Sequence, residues 1–352
     1  MIKVLGLALY GRLAASTRYR LEQYASGLAS SGIQLEIRSL LGDEYLMTRF
    51  QGNGLYLREM VSGGICRLLD LYNLSSYDLV ILHCELFPLM PGRLERLLIR
   101  KPYIYDFDDA FYLKYKDPRF RAFRFFLGHK FDTVMVGASA ITAGSSVLAD
   151  YAAKFNTNTF FLPTVVDTNR IYPANRICSG LPFTVGWIGS PSTARYLENL
   201  VKPLSDLGKE GPVIFMVIGG TAPSIPNVEV IQIAWSEDTE VQLLNQIDVG
   251  VMPLSDDEWA AGKCAFKLIQ YMACAIPVIA SPVGANVDVV TADAGFFARS
   301  ADDWLKELRL LRDDPSLRQR MGKSGRERVV EQYSLSNNLP QLVNVIRQVA
   351  NR

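Results

Sequence analysis

The sequence predicts an α/β protein built on two doubly wound parallel sheets, and three observations carry that expectation. Strand-length apolar runs alternate with helix-length amphipathic segments along the whole chain, the pattern of parallel strands covered on both faces. The alternation is interrupted once, by a connector holding Pro163, Pro173, Asn175, Gly180 and Pro182, and then restarts. A chain of 352 residues also exceeds what one ordinary hydrophobic core serves, so two domains of about 100–200 residues each are expected.

In the first half, residues 3–9, 34–39, 79–83, 103–106, 140–143 and 159–162 read as strands because their apolar runs are short and unbroken. Helices are expected over 17–31, 91–99, 122–137 and 145–155, while 43–75 resist assignment. In the second half the strands fall at 183–188, 213–218, 228–232, 249–252 and 278–280, with helices over 192–207, 237–247 and 263–273. A terminal helical series follows at 301–311, 315–333 and 336–350. The domains divide as 1–170 and 171–335, with the last helix, 336–352, expected to pack back on the first.

Composition is that of a soluble globular protein, 49% hydrophobic and 21% charged. A net charge of +1 gives no reason to expect nucleic acid. The five cysteines, at 66, 84, 178, 264 and 274, form no C-x-x-C pair, so a reducing cytoplasm is the simplest setting. The apolar start of the chain is too short to span a bilayer and reads as the first strand. Residues 118–131 interleave Arg119, Arg121, Arg124 and Lys130 with Phe120, Phe123, Phe125, Phe126 and Phe131. That pattern suits either an interfacial helix on an anionic membrane or a core helix whose arginines lie flat over the surface.

Residues 262–286, GKCAFKLIQYMACAIPVIASPVGAN, hold the densest information. Phe266, Leu268, Ile269, Met272 and Ala273 have the spacing of one apolar helix face, leaving Lys263, Lys267, Gln270 and Tyr271 to project elsewhere. A buried strand at 277–280 and a glycine turn follow, and the carboxyl edge of such a strand is where open α/β sheets bind ligands.

This passage resembles the donor-binding signature E-A-M-A-x-G-x-P-V-V of the retaining glycosyltransferases of family 4. Two further passages fit: 163–173 resembles the inter-domain P-N-G-V-D-x-x-x-F-x-P, and 183–190 the strand and glycine turn that open the nucleotide-binding domain. The resemblance covers nearly the whole chain. It implies the GT-B architecture, two facing Rossmann-like domains with a cleft, and transfer of a sugar from a nucleotide diphosphate-sugar donor, with retention and without a metal or other cofactor. The two glutamates of the family helix are replaced here by Gly262 and Gln270; the Gln270 amide oxygen still offers an acceptor for a ribose hydroxyl.

On the donor side, Gly189 and Ser190 lie between a strand and a helix, where they either hold the pyrophosphate through backbone amides or make a plain tight turn. Arg195, Lys263 and Lys267 are the cations available to a leaving diphosphate, Lys267 as a catalytic group. Gly11 sits on the loop after the first strand, with Arg18 facing the acceptor. Trp235 stands where the family contacts the base, and Asn286 and Asp288 where it contacts the sugar. Asp106, Asp108 and Asp109 cluster at a strand end, a costly arrangement without a partner, and Asp108 and Asp109 are read as catalytic-site acceptors for hydroxyls. His83 and Glu85 line the acceptor side or serve structure. The expected acceptor is a saccharide or lipid-linked saccharide, as in surface polysaccharide assembly. Alternatives are a nucleotide-sugar epimerase or phosphorylase, or an inactive binding protein; a dinucleotide oxidoreductase is disfavoured because no G-x-G-x-x-G follows either opening strand.

Overall fold

The computed structural model describes residues 1–50, 57–174 and 182–351; Asn175, Cys178 and Gly180 of the connector region lie outside them. Two compact units emerge. The first comprises Met1–Thr164, Gly262–Cys264 and Asn338–Arg352, and the second Val165–Ala261 and Ala265–Asn337.

The first unit carries a six-stranded sheet of β1 (Ile2–Tyr10), β2 (Ile33–Leu41), β3 (Leu79–His83), β4 (Tyr103–Phe107), β5 (Ala140–Ala143) and β6 (Thr159–Phe161). Its order is β2-β1-β3-β4-β5-β6, every pair parallel. The second has β7 (Phe183–Ile188), β8 (Val213–Ile218), β9 (Glu229–Ile233), β10 (Val249–Met252), β11 (Val278–Ala280) and β12 (Gly295–Phe297) in the order β12-β11-β10-β7-β8-β9, again parallel. Helices cover both faces, so the central strands are buried end to end: every residue of β3, β4 and β7 is. Each sheet reverses its winding beside its first strand, and such a switch point opens a crevice at the carboxyl edge.

The sequence misses β12, whose three residues make too short a run to register. The expected helix 17–31 divides into Ala15–Arg20, a 3-10 turn Glu22–Tyr24 and Ala25–Ser30. The expected helix 122–137 breaks as well, into Pro118–Phe123, Arg124–Leu127 and Lys130–Gly137, and Lys130 and Phe131 are buried. Residues 118–131 are therefore not one interfacial helix. The unassigned stretch contains two helices, Asp43–Phe50 and Leu57–Tyr72. The helix expected from 263 begins at Phe266, because Ala265 takes a left-handed φ of 54°. It is covered all round, Leu268 to Ala273 being buried, with the helix Pro315–Gln332 packed against it. Gln270 and Tyr271 thus point into protein, not away from it.

Candidate functional site

In the first unit, chemistry gathers at the carboxyl ends of β3 and β4. Asp106 is a buried hub. It pairs with Arg20 through both carboxylate oxygens, accepts from Thr142 Oγ1 at 2.6 Å and lies 2.8 Å from His83 Nδ1. Burial would raise its pKa, but Arg20 and His83 overcome that and hold the carboxyl far below its ordinary range. An ionised carboxylate only accepts, so Nδ1 carries the proton. The other ring nitrogen, Nε2, is buried without a hydrogen bond and lies 3.8 Å from Asp108 Oδ1.

Asp108 keeps 17% of its side chain exposed. Burial, then Asp109 acting against the pull of His83, pushes it up to about 6. Lys263 Nζ lies 3.2 Å from Asp109 Oδ1, and Cys264 Sγ donates to the Asp108 carbonyl at 2.8 Å. Gly262 has no room for a side chain: a Cβ there would strike the Ala110 methyl and stand 3.0 Å from its nitrogen. A side chain at 262 would therefore require Ala110 to shift. His83, Cys84 and Asp108 each offer a ligand atom within 4.8 Å of the others. Burial and the neighbouring carboxylates raise the Cys84 thiol well above its usual range, so a metal binding here would have to displace its proton.

The other first-unit candidates are held by contacts within that unit. Glu85 is buried and receives Lys130 Nζ at 2.8 Å and Tyr115 Oη at 2.9 Å, with Lys114 also paired to it. Arg18 folds back on its own loop, donating to the carbonyls of Arg12 at 2.7 Å and Leu13 at 3.0 Å. Gly11 packs against Asp43, whose carboxylate accepts from Leu13 N at 2.7 Å.

In the second unit the glycine turn after β7 meets a lysine. Lys267 Nζ stands 5.5 Å from the centroid of the Trp187 ring, and a Cβ on Gly189 would lie 2.5 Å from that ring and 2.7 Å from Lys267 Cε. Gly219, at φ +79°, closes in from β8, where a Cβ would come 2.6 Å from Gly189 O and 3.0 Å from Trp235 Cβ. The Gly189 N–H is already used, donating to Ile218 O at 3.0 Å, so Gly189 contributes space here, not a donor. Ser190 precedes the 3-10 helix Pro191–Leu200, its hydroxyl 2.8 Å from that of Ser192.

Gln270 Nε2 and Trp235 Nε1 both donate to Glu240 Oε1, at 2.8 and 3.1 Å. Sequence reasoning overlooks Glu240, a buried carboxylate that draws the two expected donor residues together and holds the indole. Asn286 is buried, its amide donating to Ser281 O at 2.9 Å across the turn after β11. Asp288 is exposed, and its carbonyl accepts from Arg328 at 2.6 Å. Arg195 lies over the Tyr196 ring and lines a cavity of 370 Å³ with Asn199, Ser255 and Asp257.

A family model described as "Glycosyl transferase-like" matches residues 195–344. Among curated proteins, none matches the sequence. Solved structures do. Sucrose-phosphate synthase from Thermosynechococcus elongatus superimposes with a TM-score of 0.71 at 15% identity, covering 99% of each chain. Anabaena HepE in complex with UDP-glucose gives 0.71 at 14% identity, covering 99% of this chain and 100% of that one. A glycosyltransferase from Rickettsia africae gives 0.70 at 14% identity, covering 99% and 98%. The fold expected from the resemblance is thus borne out: two parallel six-stranded α/β sheets of the GT-B class.

Proposed function

We propose that this protein transfers a sugar, with retention of configuration, from a nucleoside diphosphate donor to an acceptor hydroxyl. One observation carries the reading: the Lys267 ammonium stands beside the side-chain-free turn at Gly189, where a helix begins at the carboxyl edge of a parallel strand. Departure of a nucleoside diphosphate builds charge on its terminal phosphate, and a fixed cation stabilises that charge more in the transition state than before it. Lys267 is held over the Trp187 ring, so little reorganisation is needed as the charge grows. The HepE structure with UDP-glucose supports a nucleotide-sugar as the donor class.

In this reading the second unit binds the donor through the Gly189–Ser190 turn, Lys267 and Trp235, with Arg195, Asn286 and Asp288 nearer the sugar and phosphate. Asp108 and Asp109 on the first unit accept hydroxyl hydrogen bonds, and Lys263 fixes Asp109. His83, with Nδ1 committed to Asp106, offers Nε2 to a hydroxyl proton. The departing phosphate itself helps deprotonate the acceptor, and no metal takes part. The acceptor is a saccharide, free or lipid-linked, as in surface polysaccharide assembly in the cytoplasm.

A thermal-shift screen of nucleoside diphosphates and their sugars, followed by transfer assays with labelled donor, tests the proposal; failure of every nucleotide to raise the melting temperature overturns it. A second reading, an inactive nucleotide-sugar-binding protein, is favoured by Gly262, where packing on Ala110 leaves no side chain for the sugar. Binding without transfer to any saccharide acceptor would establish that reading instead.

A further inference from the structure

The helix Leu57–Tyr72 is turned inside out. Its inward side carries Gly63, Arg67 and Leu71: a Cβ on Gly63 would strike the Leu40 carbonyl, and the Arg67 guanidinium is fully buried, donating to Ala8 O at 2.7 Å. Its outward side carries Leu57, Val61, Ile65, Leu68 and Tyr72, all exposed, Tyr72 by 85%. The spacing of four, four, three and four residues makes one continuous apolar stripe, and it faces away from the protein.

Neighbouring elements extend this surface. The connections β2 to β3, β3 to β4 and β4 to β5 all advance the same way across the sheet, so right-handed crossovers put their helices on one face. Glu95, in the helix Gly92–Leu98, pairs with Lys130 at 2.9 Å, so this helix, the middle of the three in the order of the crossovers, packs against Lys130–Gly137. Leu94 and Leu97 stand exposed on the middle one. Leu89 N donates to Tyr115 Oη at 2.9 Å, and the Tyr115 ring meets Phe120 edge-on, which brings the 118–127 segment to the same face. There Phe123, Phe125 and Phe126 are exposed, Phe125 by 89%.

The exposed charge of residues 57–137 is nearly all positive. Arg58, Arg93, Arg96 and Arg100 lie on or beside the first two helices, and Arg119, Arg121 and Arg124 beside the phenylalanines; all are exposed. Of the acids in this stretch, Asp78 is exposed and accepts from the backbone of Lys3, while Asp117, 33% of its side chain exposed, pairs with Arg119. An apolar stripe set among arginines complements acyl chains beneath anionic headgroups. A second copy of the chain fits poorly, since an isologous contact sets the same patch against itself and would bring arginines against arginines. No helix among the described residues is long and apolar enough to cross a membrane, so the contact is with the surface.

We propose that the Leu57–Tyr72 helix, with Leu97 and the Phe125–Phe126 pair, forms one docking surface for an anionic lipid bilayer. Cosedimentation of the full chain with phosphatidylcholine vesicles, with and without phosphatidylglycerol, tests it. The expected result is binding that needs the anionic lipid, weakens with salt, and falls at least about tenfold in both Ile65→Ser/Leu68→Ser and Phe125→Ser/Phe126→Ser, with melting temperatures unchanged. Because the substituted side chains are exposed, these variants keep the fold. Absence of vesicle binding, binding indifferent to lipid charge, or variants that bind like the parent would overturn the proposal. So would a dimer in sedimentation velocity that these substitutions dissolve while no vesicle is bound, which would assign the surface to a second copy.

Discussion

The Lys267 ammonium lies 5.5 Å from the centre of the Trp187 ring, held there by a helix buried from Leu268 to Ala273. Replacing Lys267 by Ala removes the cation but leaves the helix intact. The expected outcome is a fall in kcat of about 10²-fold, with a smaller loss in nucleoside diphosphate affinity. Near-normal turnover in steady-state kinetics would reject the catalytic assignment.

Gly189 tests the same site by volume. A methyl group there would press on the Trp187 ring and on Lys267 Cε, so Gly189→Ala should destabilise the second unit by about 1–3 kcal/mol and weaken donor binding. Calorimetric titration with nucleoside diphosphate, alongside a thermal melt, measures both effects.

Asp108 sets a pH dependence. Its pKa is pushed to about 6 by burial, with Asp109 and Asp106 raising it and His83 and Arg20 lowering it. If the ionised form accepts the hydroxyl proton, the rate should climb as pH rises through about 6, and Asp108→Asn should flatten that limb of the profile. The folded value lies above the ordinary one near 4, so ionising Asp108 lowers stability as pH rises across that interval.

Asp106 acts in the opposite sense. Burial works against its ionisation, yet Arg20 and His83 hold the carboxyl below its ordinary range, so its contribution to stability is present above about pH 4 and fades as pH falls below that. Asp106→Asn leaves Arg20 buried without its counter-charge, and a loss of about 3–5 kcal/mol is expected. Urea denaturation at neutral pH and near pH 3 would measure it, the variant differing from the parent less in acid.

Chelation addresses the trio His83, Cys84 and Asp108. The proposed transfer draws on Lys267 and not on a metal, so dialysis against EDTA should leave it unchanged. Loss of transfer that zinc or manganese restores would instead give the trio a metal.

The sheets were largely legible because parallel strands covered on both faces must be apolar throughout; LVILH in β3 and VIFMVI in β8 are such runs. The Leu57–Tyr72 helix was not, since its apolar stripe looks outward and an arginine looks inward, the reverse of the pattern used to recognise a helix. Lys267 could be singled out because it interrupts an apolar helix. Glu240 could not, because its importance arises only when Gln270, 30 residues away in sequence, and Trp235 converge on it. The occupied N–H of Gly189 was equally invisible, for it depends on the register of β8.

The first unit is assembled from three separate stretches of chain. Leu339 fills the space above Gly27, Gln341 donates to Phe161 O at 2.9 Å and Arg347 to Ser31 O at 3.0 Å. A fragment ending at Thr164 would bare the seat of the segment that begins at Asn338, so the unit cannot be excised with a single cut.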